Sequence, residues 1–204
     1  MGIVERRERQ AGELKAKIVD TAAAIIEEEG YENLSIRRIA EIIEYSPAII
    51  YHYFKDKTQI IESVLDDGQQ KISKCLEEAK IYADDPVRTL YEAFSAYTDV
   101  VLGNPNLFRI ALFGEGGINQ ENYAILREGV YKKRKNIGKL YDCVRNYCES
   151  GKFRSMDPEI ATQIIWTSVY GLVSRFVLEP EVSPGRKKKL LKNTIEILIL
   201  GLKQ

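Results

Sequence analysis

Cysteine and histidine are almost missing from this sequence: Cys75, Cys143, Cys148 and His52 are the only ones in 204 residues. Thiols so few and so irregularly spaced make neither a disulfide framework nor a zinc site, and the one imidazole lies far from all of them in sequence. No metal and no other cofactor is expected, and the thiols should be reduced and largely buried. Without a cysteine or a second histidine near His52, a nucleophilic triad cannot be assembled, and no carboxylate or lysine cluster stands in its place. The chain does not read as an enzyme.

Long apolar runs are missing as well. None approaches the roughly 20 residues of a membrane span, and the opening MGIVERRERQ lacks the apolar stretch of a secretory signal. No membrane partner is expected, and the expected location is cytoplasmic. Net charge is absent too, with 30 Lys and Arg against 30 Asp and Glu. Any affinity for nucleic acid must therefore come from local placement of charge. Strand signals are scarce: no Asn-Gly or Asp-Gly turn sits between alternating apolar segments, and the β-branched residues fall in helix-period patterns.

What is present is the balance of a globular protein, 45% hydrophobic and 29% charged. Leu14, Ile18, Ala22, Ile25 and Ile26 repeat at helical spacing and Gly30 stops them, which predicts a first helix over about 10–29. Ser35 caps a second near 36–43; Ser46-Pro47 opens a short third to about 53; Asp56 caps a fourth over about 57–81. Asp84-Asp85-Pro86 opens a fifth, with Leu90, Phe94, Tyr97 and Val101 on one face, and Gly103-Asn104-Pro105 breaks the chain before a short sixth. Phe113-Gly114-Glu115-Gly116-Gly117 reads as a hinge loop, followed by a long helix over about 120–150, an eighth to about 178 and a ninth over about 186–202. The expectation is all-α: nine helices in two domains, 1–55 as a three-helix helix-turn-helix domain and 56–204 as a helical ligand-binding and dimerisation domain.

The stretch from Leu34 to Phe54 carries the functional signal. Two short capped helices separated by three or four residues are what a helix-turn-helix requires. Ala40 is small where the helices would cross, and Ile39, Ile43 and Ile50 supply an apolar wedge. The residues left outside that wedge suit DNA. Ser35 and Lys57 stand at helix starts that can hold phosphate. Arg37 and Arg38 reach the same backbone, while Ser46, Pro47, Ala48 and Ile49 lead a helix able to enter the roughly 12 Å wide major groove. Ala48 and Ile49 can meet thymine methyl groups; Tyr51 and His52 can donate to phosphate or base. Arg6, Arg7 and Arg9 form a short arm ahead of the first helix. Residues 1–60 are not basic overall, with nine Lys or Arg and eleven Asp or Glu.

Over residues 10–65 this pattern resembles the TetR family of bacterial regulators: a capped second helix at Ser35, Ile39-Ala40, a recognition helix opened by Ser46, the Tyr51-His52-Tyr53-Phe54 ending and Lys57 after it. The resemblance implies that the residues just named lie at or near double-stranded operator DNA. It departs from the family at the turn, where Ile43-Glu44-Tyr45 replaces an Ala-Gly-Val-like sequence, and at Ile49, which replaces a small or hydroxylated residue. A non-glycine thus stands where positive φ is often adopted.

Beyond residue 65 the pattern is less specific. Ile160, Ile164, Ile165, Val169, Leu172, Val173 and Phe176 make a broad stripe on the eighth helix, and Leu191, Ile195, Leu198 and Leu202 another on the ninth. Such faces exceed what one core needs, and a homodimer through helices eight and nine would bury them, as the resemblance implies. Phe94, Tyr97, Phe108, Phe113, Tyr123, Trp166 and Tyr170 are candidates to line a cavity for a small apolar or aromatic effector. The expected function is a ligand-responsive repressor that binds a pseudo-palindromic operator as a dimer. The alternative is a helical small-molecule-binding dimer without sequence-specific DNA binding.

Overall fold

The computed structural model describes residues 2–113 and 124–203. Among them are ten α-helices, one 3-10 turn and no strand: α1 (Ile3–Glu29), the 3-10 turn (Tyr31–Asn33), α2 (Ile36–Ile43), α3 (Pro47–Tyr53), α4 (Lys57–Glu77), α5 (Pro86–Gly103), α6 (Pro105–Phe113), α7 (Val130–Lys133), α8 (Lys135–Glu149), α9 (Pro158–Leu178) and α10 (Pro184–Leu202). They form two compact units. One holds the residues up to Gln69 together with α6; the other holds Gln70 to Gly103 together with α7 to α10.

Three expectations need correction. The first helix starts at Ile3 rather than near residue 10, so Arg6, Arg7 and Arg9 are helical and not a free arm. The Gly2 N–H donates to the Glu5 carboxylate at 2.9 Å, and no breaker interrupts the good helix formers that follow. The fourth helix stops at Glu77 instead of 81, because a polar cluster claims the next segment. The Tyr82 N–H donates to Thr89 Oγ1 at 2.9 Å, and the Tyr147 hydroxyl donates to the Tyr82 carbonyl at 2.8 Å. The single helix expected over 120–150 is broken as well. Arg134 is extended (φ −118, ψ 111) between α7 and α8, which raises the count from nine to ten. Gly138 makes the fold-back possible: a Cβ there would meet the Tyr131 carbonyl oxygen at 2.8 Å. Tyr131 then stacks on Tyr141 at 3.8 Å. The expected hinge after Phe113 and the start of the 120–150 helix lie outside the described residues.

In the first unit, Ile18, Ala22, Ile25 and Ile26 of α1 are buried against Ile39, Ala40, Ile43, Ile50 and Phe54. Each large side chain so buried stabilises by about 1.5–3 kcal/mol. α6 joins this unit through complementary helix ends. The Glu27 carboxylate accepts the N–H groups of Leu107 at 2.8 Å and Asn106 at 3.2 Å, capping α6, while the Asn106 amide donates to the carbonyls of Ile26 and Glu27. Free donors at one helix start and free acceptors at another helix end thus satisfy each other.

In the second unit the core comprises Leu90, Phe94, Tyr97 and Val101 of α5, Ile137, Leu140, Val144 and Tyr147 of α8, Ile165, Val169, Val173 and Phe176 of α9, and Leu191, Ile195, Ile199 and Leu202 of α10. Asp157 caps α9 and Ser183 caps α10, each followed by proline at the first helical position.

Candidate nucleic-acid interface and effector cavity

The helix-turn-helix is built by two caps and a wedge. Ser35 Oγ accepts the Arg38 N–H at 3.1 Å and starts α2. The turn that ends it places Glu44 at φ 62, ψ 41, and the Tyr45 N–H closes back on the Ala40 carbonyl at 3.0 Å. That closure is a left-handed helix stop, usually taken by glycine. Glutamate accepts it at a cost on the order of 1 kcal/mol. Lys17 buttresses the turn, its Nζ donating to the Ile43 carbonyl at 3.4 Å and lying 5.8 Å from the centre of the Tyr45 ring.

α3 then presents two opposite faces. Ile50 is 0% exposed and Phe54 1%, so the helix is fixed from behind. Ser46, Pro47, Ala48, Ile49, Tyr51 and His52 are all exposed. The leading end is therefore open, and its surface is apolar and aromatic rather than charged. Ser35 and Arg37 are exposed on α2.

Two expected phosphate contacts already have partners. The Arg38 guanidinium is held by Glu29 at 2.7 Å and Glu41 at 3.3 Å, and hydrogen bonding to it keeps the Glu29 carboxyl below its ordinary pKa. Lys57 Nζ donates to the Tyr31 carbonyl at 3.1 Å and sits 4.0 Å from the Tyr31 ring centre. Burial lowers its pKa, against the pull of Glu32. Two residues escaped sequence reasoning: Ile42 and Tyr45 are exposed beside α3, at 45% and 42%. The signal for them was an isoleucine off the buried face of α2 and an aromatic in the turn.

The second unit contains a cavity lined by Leu76, Leu90, Phe94, Leu140, Cys143 and Trp166 among others, with Glu77 and Lys139 exposed at its edge. Its free volume is about 90 Å³. Of the expected lining residues, Phe94 and Trp166 face it. Tyr97 packs beside both, its ring centre 5.3 Å from that of Trp166 and 6.3 Å from that of Phe94. Tyr170 is half-buried on α9, and burial raises its pKa. Phe108 and Phe113 belong to α6 and do not line the cavity, and Phe113 is 58% exposed. Tyr123 lies outside the described residues. Asn136, Cys143 and Leu140 went unforeseen; their spacing marks one face of α8.

These features define a helix-turn-helix protein with a second helical unit enclosing an apolar cavity. Residues 18–64 match the sequence profile "Bacterial regulatory proteins, tetR family". The chain is 27% identical over 131 residues to the HTH-type transcriptional regulator HbdR of Aromatoleum sp. (strain CIB), a match covering 62% of this chain and 56% of HbdR. It therefore spans little more than half of that relative. It is 23% identical over 188 residues to the fatty acid metabolism regulator protein of Bacillus subtilis (strain 168), covering 91% and 94% of the two chains. The fold is shared with the crystal structure of FadR from Bacillus subtilis in complex with stearoyl-CoA, at a TM-score of 0.65 and 21% identity over 92% of this chain and 98% of that one. The chain belongs to the TetR family of bacterial transcriptional regulators. That family is one of regulators and not of enzymes.

Proposed function

We propose that this protein is a cytoplasmic repressor that binds a pseudo-palindromic operator as a homodimer and leaves it when a small apolar or aromatic effector enters the cavity of the second unit. The observation that carries the reading is the two-sided α3, with Ile50 and Phe54 fully buried behind an exposed Ser46–Ile49 end. In this reading Ser35, Arg37 and Lys57 fix phosphates, Arg38 exchanges a carboxylate for phosphate, and Ala48, Ile49, Tyr51 and His52 meet base edges. Residues 1–55 serve as the DNA-binding domain and 56–204 as the ligand-binding and dimerisation domain.

Dimerisation is supported by a second apolar face. Ile160, Ile164 and Leu178 of α9 are 49%, 45% and 39% exposed, and Ile197 and Leu200 of α10 are 68% and 69% exposed. The stripe expected on the eighth helix of the sequence divides here, since Ile165, Val169, Val173 and Phe176 are buried within the unit. Self-association of the outer set would cover it, and two recognition helices could then reach half-sites roughly 34–36 Å apart.

Effector action follows from volume. The free space of about 90 Å³ is smaller than the roughly 150 Å³ cavity that holds benzene. A ligand of useful size must part the helices, and that displacement is the means by which binding shifts the population away from the DNA-competent state. The stearoyl-CoA bound by the related FadR supports an acyl-bearing effector for this chain.

The test is a gel shift of the full chain on the DNA upstream of its own gene against a scrambled fragment of equal length. Wild type should prefer the upstream fragment, and Tyr51→Ala should lose about tenfold on it while staying folded, the worth of one good base contact. Equal binding of both fragments would favour the reading as a ligand-binding dimer without sequence-specific DNA recognition, to which the acidic balance of residues 1–60 also points.

A further inference from the structure

The inside of the cavity carries no charge. Burial pushes the Cys143 thiol up to about 11, and the Tyr97 hydroxyl is raised beyond its ordinary value by burial first and then by Tyr170 and Cys75. Both are neutral at physiological pH. The charged lining residues, Glu77 and Lys139, are exposed at the edge and opposite in sign. An ionised group taken inside would therefore lose its hydration without gaining a counter-charge.

The polar groups of the lining are already committed, with one exception. Thr89 Oγ1 lies 3.0 Å from the Asp85 carbonyl and 2.8 Å from the Tyr147 hydroxyl. Asn136 Oδ1 accepts the Ile137 N–H at 3.0 Å. Trp166 is 4% exposed, lines the cavity, and has its Nε1 buried without a partner among the described residues. Its ring packs at 6.2 Å from Phe94 and 5.3 Å from Tyr97, centre to centre. An indole N–H is a donor only, so what completes it is an acceptor. A buried donor left unmade is rare enough in native proteins to call for a cause.

Resting on the reading of this cavity as the effector site, the geometry points to an effector that carries an uncharged carbonyl oxygen on an apolar chain, with that oxygen accepting from Trp166 Nε1. The carbonyl can belong to a ketone, an ester or a thioester; a free carboxylate is disfavoured by the uncharged interior, and a plain hydrocarbon leaves the indole unsatisfied.

The full chain is titrated calorimetrically with 2-nonanone, S-ethyl octanethioate, nonane and nonanoate, as wild type and as Trp166→Phe. Both carbonyl probes should lose about tenfold in affinity on the substitution, the worth of one buried hydrogen bond, while nonane changes less than twofold; the tighter carbonyl probe identifies its source. Comparing probes within each protein removes the effect of the smaller ring. Trp166 is the only tryptophan, so its emission gives an arm that needs no variant: 2-nonanone should shift it to the red and nonane should not. Equal losses for nonane and the ketone, an unshifted emission, tighter binding of nonanoate than of 2-nonanone, or no binding by any probe would each overturn the inference. Operator DNA separates it from the broader reading. Probes that release DNA without discriminating at Trp166 sink this inference alone, whereas a ketone that discriminates without releasing DNA sinks the effector role alone.

Discussion

The two compact units use opposite sides of their helices. In the first, the side chains assigned to function point outward from α2 and α3 while Ile39, Ala40, Ile43 and Ile50 hold the pair from behind. In the second, the functional side chains point inward, and Phe94, Tyr97 and Trp166 are as buried as any core residue. An outward site can be anchored by a few local contacts and altered with little loss of stability. An inward site shares its atoms with the core, so function and stability are read from the same side chains.

The sharpest way to break that contrast is a pair of neighbours on α3. Ile50→Ala should cost about 2–5 kcal/mol of stability by leaving a cavity, measured by chemical denaturation. Ile49→Ala, at 37% exposure, should cost less than about 0.5 kcal/mol and yet weaken operator binding by fivefold or more. Similar stability losses for both would mean that α3 has no free face. In the second unit, Gly138→Ala should cost about 1–3 kcal/mol, because the new methyl group meets a backbone oxygen that cannot turn aside. A thermal scan showing no loss would argue against the close packing of α7 on α8.

A smaller effect is expected at the turn. Glu44→Gly should stabilise the first unit by about 1 kcal/mol by relieving the left-handed conformation of a residue with a Cβ. An unchanged denaturation midpoint would mean that Glu44 makes compensating contacts. The smallest concerns Glu27, whose carboxyl is raised above 4.5 mainly by burial, against the lowering effects of the Leu107 and Asn106 N–H groups and of Arg109. The folded state then holds this proton more tightly than the unfolded chain does. Stability from this group is thus greatest below the unfolded pKa and declines as pH rises through the folded one. Glu27→Gln should remove that slope from the pH profile of unfolding, and an unaltered profile would place the titration elsewhere.

The same contrast explains what could be read from the sequence. The caps at Ser35, Ser46-Pro47 and Asp157-Pro158, and the wedge of Ile39, Ala40 and Ile50, are local patterns, and the folded chain uses each of them as read. Arg134 and the Gly138 approach were invisible because an extended residue between two helical stretches is fixed by the stacking of Tyr131 on Tyr141 and not by composition. The grouping of α6 with the first unit was equally hidden, since the Glu27–Asn106 contacts join residues 79 apart in sequence. Among the aromatic cavity candidates, Phe94, Tyr97 and Trp166 come together and Phe108 does not, a distinction that helical periodicity has no means to make.

Hydrogen exchange on the full chain, with and without its upstream DNA, tests the central claim most directly. The account predicts slowed exchange across residues 35–54 on binding that DNA and no change in α9 and α10 beyond the level seen with scrambled DNA. Protection that spares residues 46–52 while appearing elsewhere would contradict the assignment of the leading end of α3 as the surface that reads DNA.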